Sequence, residues 1–461
     1  MSGKSGKSGK SGVWHAAGLA AVLLWTGPVV AEGPFTWGAD LRLRHTVIGN
    51  VGLKDEDPNA DRTFQRYRVR LFGEYASTGP LGASARLVWE GRHYGKPDAR
   101  TWPWPGFETW YSGGAFFDQL AIELKRPGGA PFTLKAGRQD LSLGDGWLVQ
   151  DGTPIDGSRT ACFDAVRLTF DAKSLRTTFD LVGLDLASDT GRFPSPLNGT
   201  VEDQAEQAER GLILWARNES LVKGGRLDAW VIYKDARPSS TPGNVRVNNG
   251  APFPSAPDDG EVTTAGLRGE LKGARWEARA EGALQGGRRN GRDLRAFGGR
   301  GRVTRLLPDR WKSRVHAGVE ILSGDEPGSG DDEAFDPLWG RWPQWSELMI
   351  YQWPLDSRVG EATNLVRLNA GWAARLGEAA SLTLDYHALW ADEASTRTPA
   401  QAANLGGGRF RGHLVTSRLK TSFGAHVAAH LHSEYLAPGD FYAESRRDGS
   451  FFVRAELYLT Y

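Results

Sequence analysis

The chain has 461 residues, with 59 Gly and 18 Trp but only 2 Met and 1 Cys, and its formal net charge is +1. That charge excludes a polycation built for nucleic acid, the lone Cys162 excludes a disulfide scaffold or cysteine-rich metal site, and the aromatic and charged content excludes wholesale disorder. Beyond the N-terminus no run of about 18 apolar residues offers a membrane-spanning helix, so short amphipathic strands are what this composition suits.

Residues 1–31 read as a secretory signal. Lys4, Lys7 and Lys10 precede an apolar core over 13–27, and Val29-Val30-Ala31 suits a cut before Glu32. Its removal takes the basic count from 56 to 53 against 55 acids. Residues 32–461 read as one domain.

Period-two alternation marks strands exposed to two different media. It appears first at Thr36–Ile48, where Leu41, Leu43 and Val47 oppose Asp40, Arg42 and Arg44. Thr63–Ala76 follows, with Val69 and Leu71 against Arg66, Arg68, Arg70 and Glu74. Less regular candidates lie near 82–90, 116–125, 132–140, 163–170, 175–184, 210–217, 225–234 and 261–270. Ala274–Leu284, 294–304, Ser313–Leu322 and 362–372 come next, then the segments around Leu382–Trp390, 410–420 and Val427–Tyr435. The last strand points Phe451, Val453, Ala455, Leu457, Leu459 and Tyr461 one way and Phe452, Arg454, Glu456, Tyr458 and Thr460 the other. Eighteen strands result, an even number suited to a closed bacterial barrel. A terminal aromatic such as Tyr461 resembles the assembly signal of outer-membrane barrels.

Connections after odd strands are long, as at 91–115, 141–162 and 323–361, with 285–293 the exception. Those after even strands are short, as at 77–81 and 271–273. Short periplasmic turns and long extracellular loops are the outer-membrane pattern. The expected fold is therefore an all-β, up-and-down antiparallel transmembrane barrel, in lipid that requires every backbone group to be paired.

The charged face then lines a lumen. Arg42, Arg44, Arg66, Arg68, Arg70 and Arg86 come from three successive strands and are expected to form one basic wall, with Asp40, Glu74 and Glu90 too few to cancel it. Basic rings in a pore favour anions; an ordinary lumen whose charges pair across strands is the other reading. Acids gather in the long loops, for example Asp325, Glu326, Asp331, Asp332, Glu333 and Asp336. Two loops are rich in aromatics: Trp102, Trp104, Phe107, Trp110 and Tyr111, and Trp339, Trp342, Trp345, Tyr351 and Trp353. Such residues suit the membrane interface, or else a stacking surface for sugar rings. His387, His430 and His432 share the lumen face with Asp385 and Glu434, but no nucleophile or metal motif accompanies them. No cofactor and no catalytic residue is expected, and Gly406-Gly407-Gly408 reads as loop.

The segment Gly137-Arg138-Gln139-Asp140-Leu141-Ser142-Leu143-Gly144-Asp145-Gly146, followed by Arg159 to Leu168 with Phe163-Asp164-Ala165-Val166-Arg167, resembles the alginate-export family of outer-membrane barrels. The early Arg-x-Arg-x-Arg strand and Phe335-Asp336-Pro337-Leu338 are similar as well. Trp147 stands where many relatives have Arg, and every even-numbered connection is short where the alginate exporter has a long periplasmic plug. The resemblance implies an eighteen-stranded barrel with an Arg-rich constriction, and Arg138, Arg159, Asp164 and Arg167 carry over as constriction or inner-loop residues. The expected function is an outer-membrane channel passing anionic polysaccharide or other organic anions by diffusion. Expected partners are membrane lipid, the anionic solute and periplasmic polysaccharide-secretion proteins, with no nucleic acid. The alternatives are a general nutrient-uptake porin and a barrel-embedded hydrolase.

Overall fold

The computed structural model describes residues 30–54, 57, 60–96, 109–112, 115–150, 162–186, 208–237, 258–358, 361–397 and 399–461. The signal reading rests on residues that lie almost wholly outside this set. Two three-residue strands, Val30–Glu32 and Trp110–Ser112, flank the wall, and eighteen longer ones build it. The first nine are β1 Phe35–Gly49, β2 Arg62–Ala76, β3 Leu81–Lys96, β4 Phe116–Lys125, β5 Phe132–Gln139, β6 Phe163–Ala172, β7 Thr177–Leu186, β8 Ala208–Asn218 and β9 Gly225–Arg237. The rest are β10 Gly260–Lys272, β11 Trp276–Arg289, β12 Arg292–Leu306, β13 Arg314–Leu322, β14 Leu365–Arg375, β15 Ala380–Trp390, β16 Phe410–Phe423, β17 Val427–Pro438 and β18 Ser450–Thr460. Each pairs antiparallel with its neighbours in sequence. β18 returns to β1, from Asp40 opposite Thr460 to Gly49 opposite Phe451, so the barrel is closed and has no free edge.

Alternation explains the wall. Leu71, Leu212, Leu267, Leu284, Val415 and Leu431 are exposed on the outer face, which only a lipid surround makes favourable. In β18, Phe451 and Val453 are exposed while Phe452 and Arg454 are buried, the two faces read from the sequence. Trp37 and Tyr461 meet at the seam, 5.5 Å between ring centroids.

The exceptional connection after β11 is a tight hairpin. Asn290 and Gly291 have φ of 53° and 83°, so both central residues adopt the left-handed geometry of a type I′ turn. The strands simply run further toward the outside than the sequence pattern suggested.

The lumen face is not uniformly polar. Near the extracellular ends of the strands it carries Ile48, Phe64, Leu184, Leu294, Leu365, Leu389, Leu414, Leu436 and Phe452, all buried. Residues from the long connections pack on them, among them Leu148, Phe335, Leu348, Met349, Trp353 and Phe441. The hydrophobic core therefore lies toward the outer end of the lumen, and the charged rows lie beneath it.

Candidate functional site

Register places the lumen charges in cross-strand rows. One row runs Tyr458, Arg42, Arg68, Glu90 across β18, β1, β2 and β3. The next runs Lys420, His430, Glu456, Arg44, Arg66, Arg92 from β16 to β3. Above it lie Arg418, His432 and Arg454. Directly opposite side chains on one face are about 5 Å apart, so this is one contiguous basic surface.

Its carboxylates are shared. Glu90 lies 3.5 Å from Arg42, 3.4 Å from Arg66 and 3.3 Å from Arg92. Asp40 takes Arg70 at 2.7 Å and Arg68 at 3.7 Å. Glu456 accepts from Arg44 Nε at 2.7 Å and lies 3.7 Å from Arg42. Among the described residues, the ion pairs here join six guanidiniums to three carboxylates, an excess of three positive charges within this set. Glu74 is exposed at the periplasmic end of β2 and takes no part. Glu456 was not among the counter-charges named from sequence, because it lies on the strand that closes the barrel. The guanidiniums are not open to water: Arg42, Arg44, Arg66 and Arg68 are buried.

The remaining expected residues are arranged differently. Arg86 is held by Asp118 at 2.6 Å and doubly by Asp140 at 2.8 Å, so its charge is locally offset. Arg138 and Asp164 sit opposite one another in β5 and β6 and form a two-pronged pair at 2.8 and 2.9 Å. Arg138 is itself buried, and it also donates to the Phe117 carbonyl at 3.1 Å, so its partners lie on β4 and β6 rather than in the basic rows. Arg167 faces inward and bonds Asp180 at 2.8 Å. Arg159 lies outside the described residues.

A second group of cations was not among the site residues expected from the sequence, although alternation put Arg279, Arg314 and Arg454 on the lumen face. Arg92, Arg418, Lys420 and Arg454 extend the wall, and the far side carries Arg268, Arg279, Arg300, Arg302 and Arg314. Most of the far group is matched: Arg268 and Arg279 meet Asp145 at 2.7 and 2.9 Å, Arg300 meets Glu281 at 3.0 Å, and Arg314 meets Glu277. In the connection after β5, burial raises the carboxyl of Asp145, but Arg279, Arg268 and Arg300 outweigh it and hold it below the ordinary carboxylate range. Arg302, Arg418 and Lys420 make no ion pair or hydrogen bond among the described residues. The signal was available: Arg300/Arg302 and Arg418/Lys420 are spaced by two within alternating strands.

Residues 323–358 and 361–364, between β13 and β14, cross the lumen as a strap. On one side Lys234 holds Asp336 at 2.6 Å, Arg289 grips Asp332 at 2.6 and 2.8 Å, and Gln285 bonds the Asp336 backbone at 2.8 Å. On the other side Arg411 grips Asp356 at 2.7 and 3.0 Å. Glu434 receives the Ser346 hydroxyl and the Glu347 backbone N–H, the latter at 2.7 Å. A short helix, α1 Leu348–Gln352, presses Leu348 and Met349 into the core. Gly340 passes so close to residues 147–148 that a Cβ there would lie 1.9 Å from the Trp147 carbonyl oxygen.

This geometry corrects the interface reading of the strap aromatics. Trp339 and Trp353 are buried inside the barrel. Trp339 donates to Glu209 at 2.9 Å, and Trp345 donates to Glu320 at 3.0 Å while Arg367 lies over its ring. They pin the strap because a buried indole N–H needs an acceptor. Trp102, Trp104 and Phe107 lie outside the described residues. The histidines are paired: His432 lies 3.0 Å from Glu434, His430 bonds Arg454 at 3.0 Å, and His387 bonds Arg367 at 3.2 Å. Among the described residues no cluster of His, Cys, Asp and Glu could hold a metal ion. Cys162 packs against Val88 and Phe116.

A sequence profile described as "Alginate export" matches residues 115–453, most of the chain. The chain belongs to the alginate export family. A search of curated protein sequences finds no match. Among solved structures, Acinetobacter baumannii OccAB1 is 11% identical, with a TM-score of 0.57 over 93% of this chain and 96% of that one. Pseudomonas aeruginosa OccK9 (OpdG) is 13% identical, with a TM-score of 0.56 over 93% and 99%. Pseudomonas aeruginosa OpdK, solved with vanillate, is 12% identical, with a TM-score of 0.53 over 92% and 98%. At such identities the likeness shows the barrel fold alone. Family and fold together make this alginate-export protein an outer-membrane channel of a Gram-negative bacterium.

Proposed function

We propose that this barrel passes anionic saccharides or other organic anions by diffusion along its basic lumen. The observation carrying the reading is the sharing of three carboxylates by six guanidiniums on the β1–β3 and β18 wall. Arginine stays charged at any physiological pH, and a low-dielectric surround screens its field less than bulk water does. An anion entering the lower lumen meets a surface on which, among the described residues, the paired arginines outnumber the carboxylates they share.

Two cargo sizes fit this chemistry. The family description favours a polymer. The strap across the lumen favours a small organic anion, because its side chains pack on the apolar outer rows and narrow the path. That OpdK was solved with vanillate, itself a carboxylate, also supports small carboxylates as cargo. No catalytic role is assigned: the lumen histidines are engaged by Glu434, Arg454 and Arg367 and no nucleophile motif accompanies them. The signal reading implies a mature chain that starts near Glu32.

The test is the zero-current potential of the purified channel in a planar bilayer under a potassium chloride gradient. Anion preference that weakens as salt rises is expected; a cation-selective channel overturns the reading.

A further inference from the structure

Among the described residues, the strap carboxylate Glu347 reaches the basic wall by ion pairing with Arg454. Its Oε1 lies 3.1 Å from an Arg454 terminal nitrogen, with both side chains almost fully buried. Arg418, two strands away in the same row, lies within electrostatic reach of Glu347, Glu434 and Arg454, yet among the described residues no carboxylate ion-pairs with it. Its Nε is buried without a hydrogen-bond acceptor. Lys420, one residue pair further along β16, is likewise without an ion pair among the described residues. So three cations converge where the strap delivers a single carboxylate.

Glu347 is also held at that place by its backbone. Its N–H and that of Leu348 donate to Glu434 at 2.7 and 3.3 Å, and the Ser346 hydroxyl donates to the same carboxylate. The turn is therefore fixed on β17 independently of the Glu347 side chain. What the side chain adds is a negative group against Arg454. Burying a cation is costly unless a counter-charge accompanies it, and here the protein supplies that counter-charge from the strap rather than from the wall.

We propose that Arg418, Arg454 and Lys420 form a binding site for the carboxylate of a transported anion, and that Glu347 occupies this site when no solute is bound. The inference rests on the anion-path reading above and names the solute class, a carboxylate. A solute carboxylate replaces Glu347 charge for charge, so the exchange leaves no buried cation uncompensated. Arg418, with its unused donors, gives the incoming group more hydrogen bonds than Glu347 makes. A neutral sugar of the same size gains nothing from the exchange, which makes the site a discriminator of charge.

The experiment uses the full-length channel in planar bilayers with potassium chloride as carrier. Sodium D-glucuronate is the probe and D-glucose the uncharged control. Wild type, Glu347→Gln, Glu347→Gln with Arg418→Gln, and Glu277→Gln are compared. Glu277 pairs with Arg314 on the far wall and controls for the loss of one lumen acid. Removing the resident carboxylate should lower the glucuronate concentration that halves the current by about tenfold, the size expected for a charge-assisted hydrogen bond released from competition. The added Arg418→Gln change should cancel that gain, Glu277→Gln should stay within about twofold of wild type, and glucose should not respond. An unchanged or higher half-block concentration in Glu347→Gln, an equal gain in Glu277→Gln, or equal block by glucose overturns the proposal. If the wild type shows anion preference but Glu347→Gln changes nothing, the Glu347 site fails and the anion path stands. A channel without anion preference removes both.

Discussion

Replacing Arg44, Arg66 and Arg68 together by Ser tests the basic wall with the least damage to its acids. Glu90 keeps Arg42 and Arg92, Asp40 keeps Arg70, and Glu456 keeps Arg42. Removing Arg66, Arg68 and Arg70 instead would strand Asp40, buried and without either of its partners, which costs about 3–5 kcal/mol. The chosen triple takes the excess of three charges to zero. Three unit charges about 8 Å from the permeation path give about 1.6 kcal/mol in a water-like dielectric before screening. A Debye length of about 10 Å at 0.1 M salt reduces this to about 0.7 kcal/mol. Anions are then enriched about threefold and cations depleted equally, a permeability ratio near ~10. At 1 M salt the Debye length of about 3 Å brings the ratio to about 1.4. Zero-current potentials at both ionic strengths read these ratios directly. Wild type should fall from strong to weak anion preference, and the triple variant should show a clearly weaker preference than wild type at about 0.1 M salt, with only the cations outside the β1–β3 rows left to sustain it. An unchanged potential in the triple variant, with the barrel folded, refutes the wall as the selectivity element.

Three other outcomes follow from the packing. Gly340→Ala places a methyl group against the Trp147 carbonyl, so the strap should seat poorly and single-channel conductance should rise while the barrel stays folded; unchanged conductance would show that the strap does not limit the current. At the mouth, burial raises the carboxyl of Glu361, but Arg358 and Arg397 overcome this and bring it down to about 2. Asp258 is likewise raised by burial and pulled further down by Arg358, Arg397 and Arg289. Carboxyls depressed in the folded state stabilise it above their unfolded pKa of about 4 and lose that contribution as pH falls through the folded value. Thermal unfolding should be flat from about pH 8 to 5 and fall between about pH 4 and 2, with Asp258→Asn removing part of the acid-dependent loss; a flat profile down to pH 2 contradicts the clamp. Deleting Tyr461 removes the seam hydrogen bonds to Ala39 at 2.9 and 3.0 Å and the contact with Trp37, so the yield of folded barrel in outer-membrane fractions should drop.

By itself the sequence determined the wall. Alternation with a period of two needs only the pleat of a strand and two media of different polarity, so Leu71 against Arg70 or Val453 against Arg454 is legible without any fold. The long and short connections sorted the two ends of the barrel, and the Arg-x-Arg-x-Arg pattern placed Arg66, Arg68 and Arg70 on one face. The pairing of those arginines was not legible. Asp40 and Glu90 were in view because they lie on neighbouring strands, whereas Glu456 meets Arg44 across 412 residues and only barrel closure brings it there. Arg86 looked unpaired because Asp118 belongs to an irregular stretch where the β3–β4 register shifts. The strap is the largest difference. A loop sequence has no period that says whether it folds outward or inward, so Trp339 and Trp353 read equally well as interface residues. Their direction was decided by the apolar outer row of the lumen, Leu389, Leu414, Leu436 and Phe452, which needs a cover that water does not provide. That cover brings Glu347 onto Arg454, a contact between a loop and a strand that no local pattern encodes.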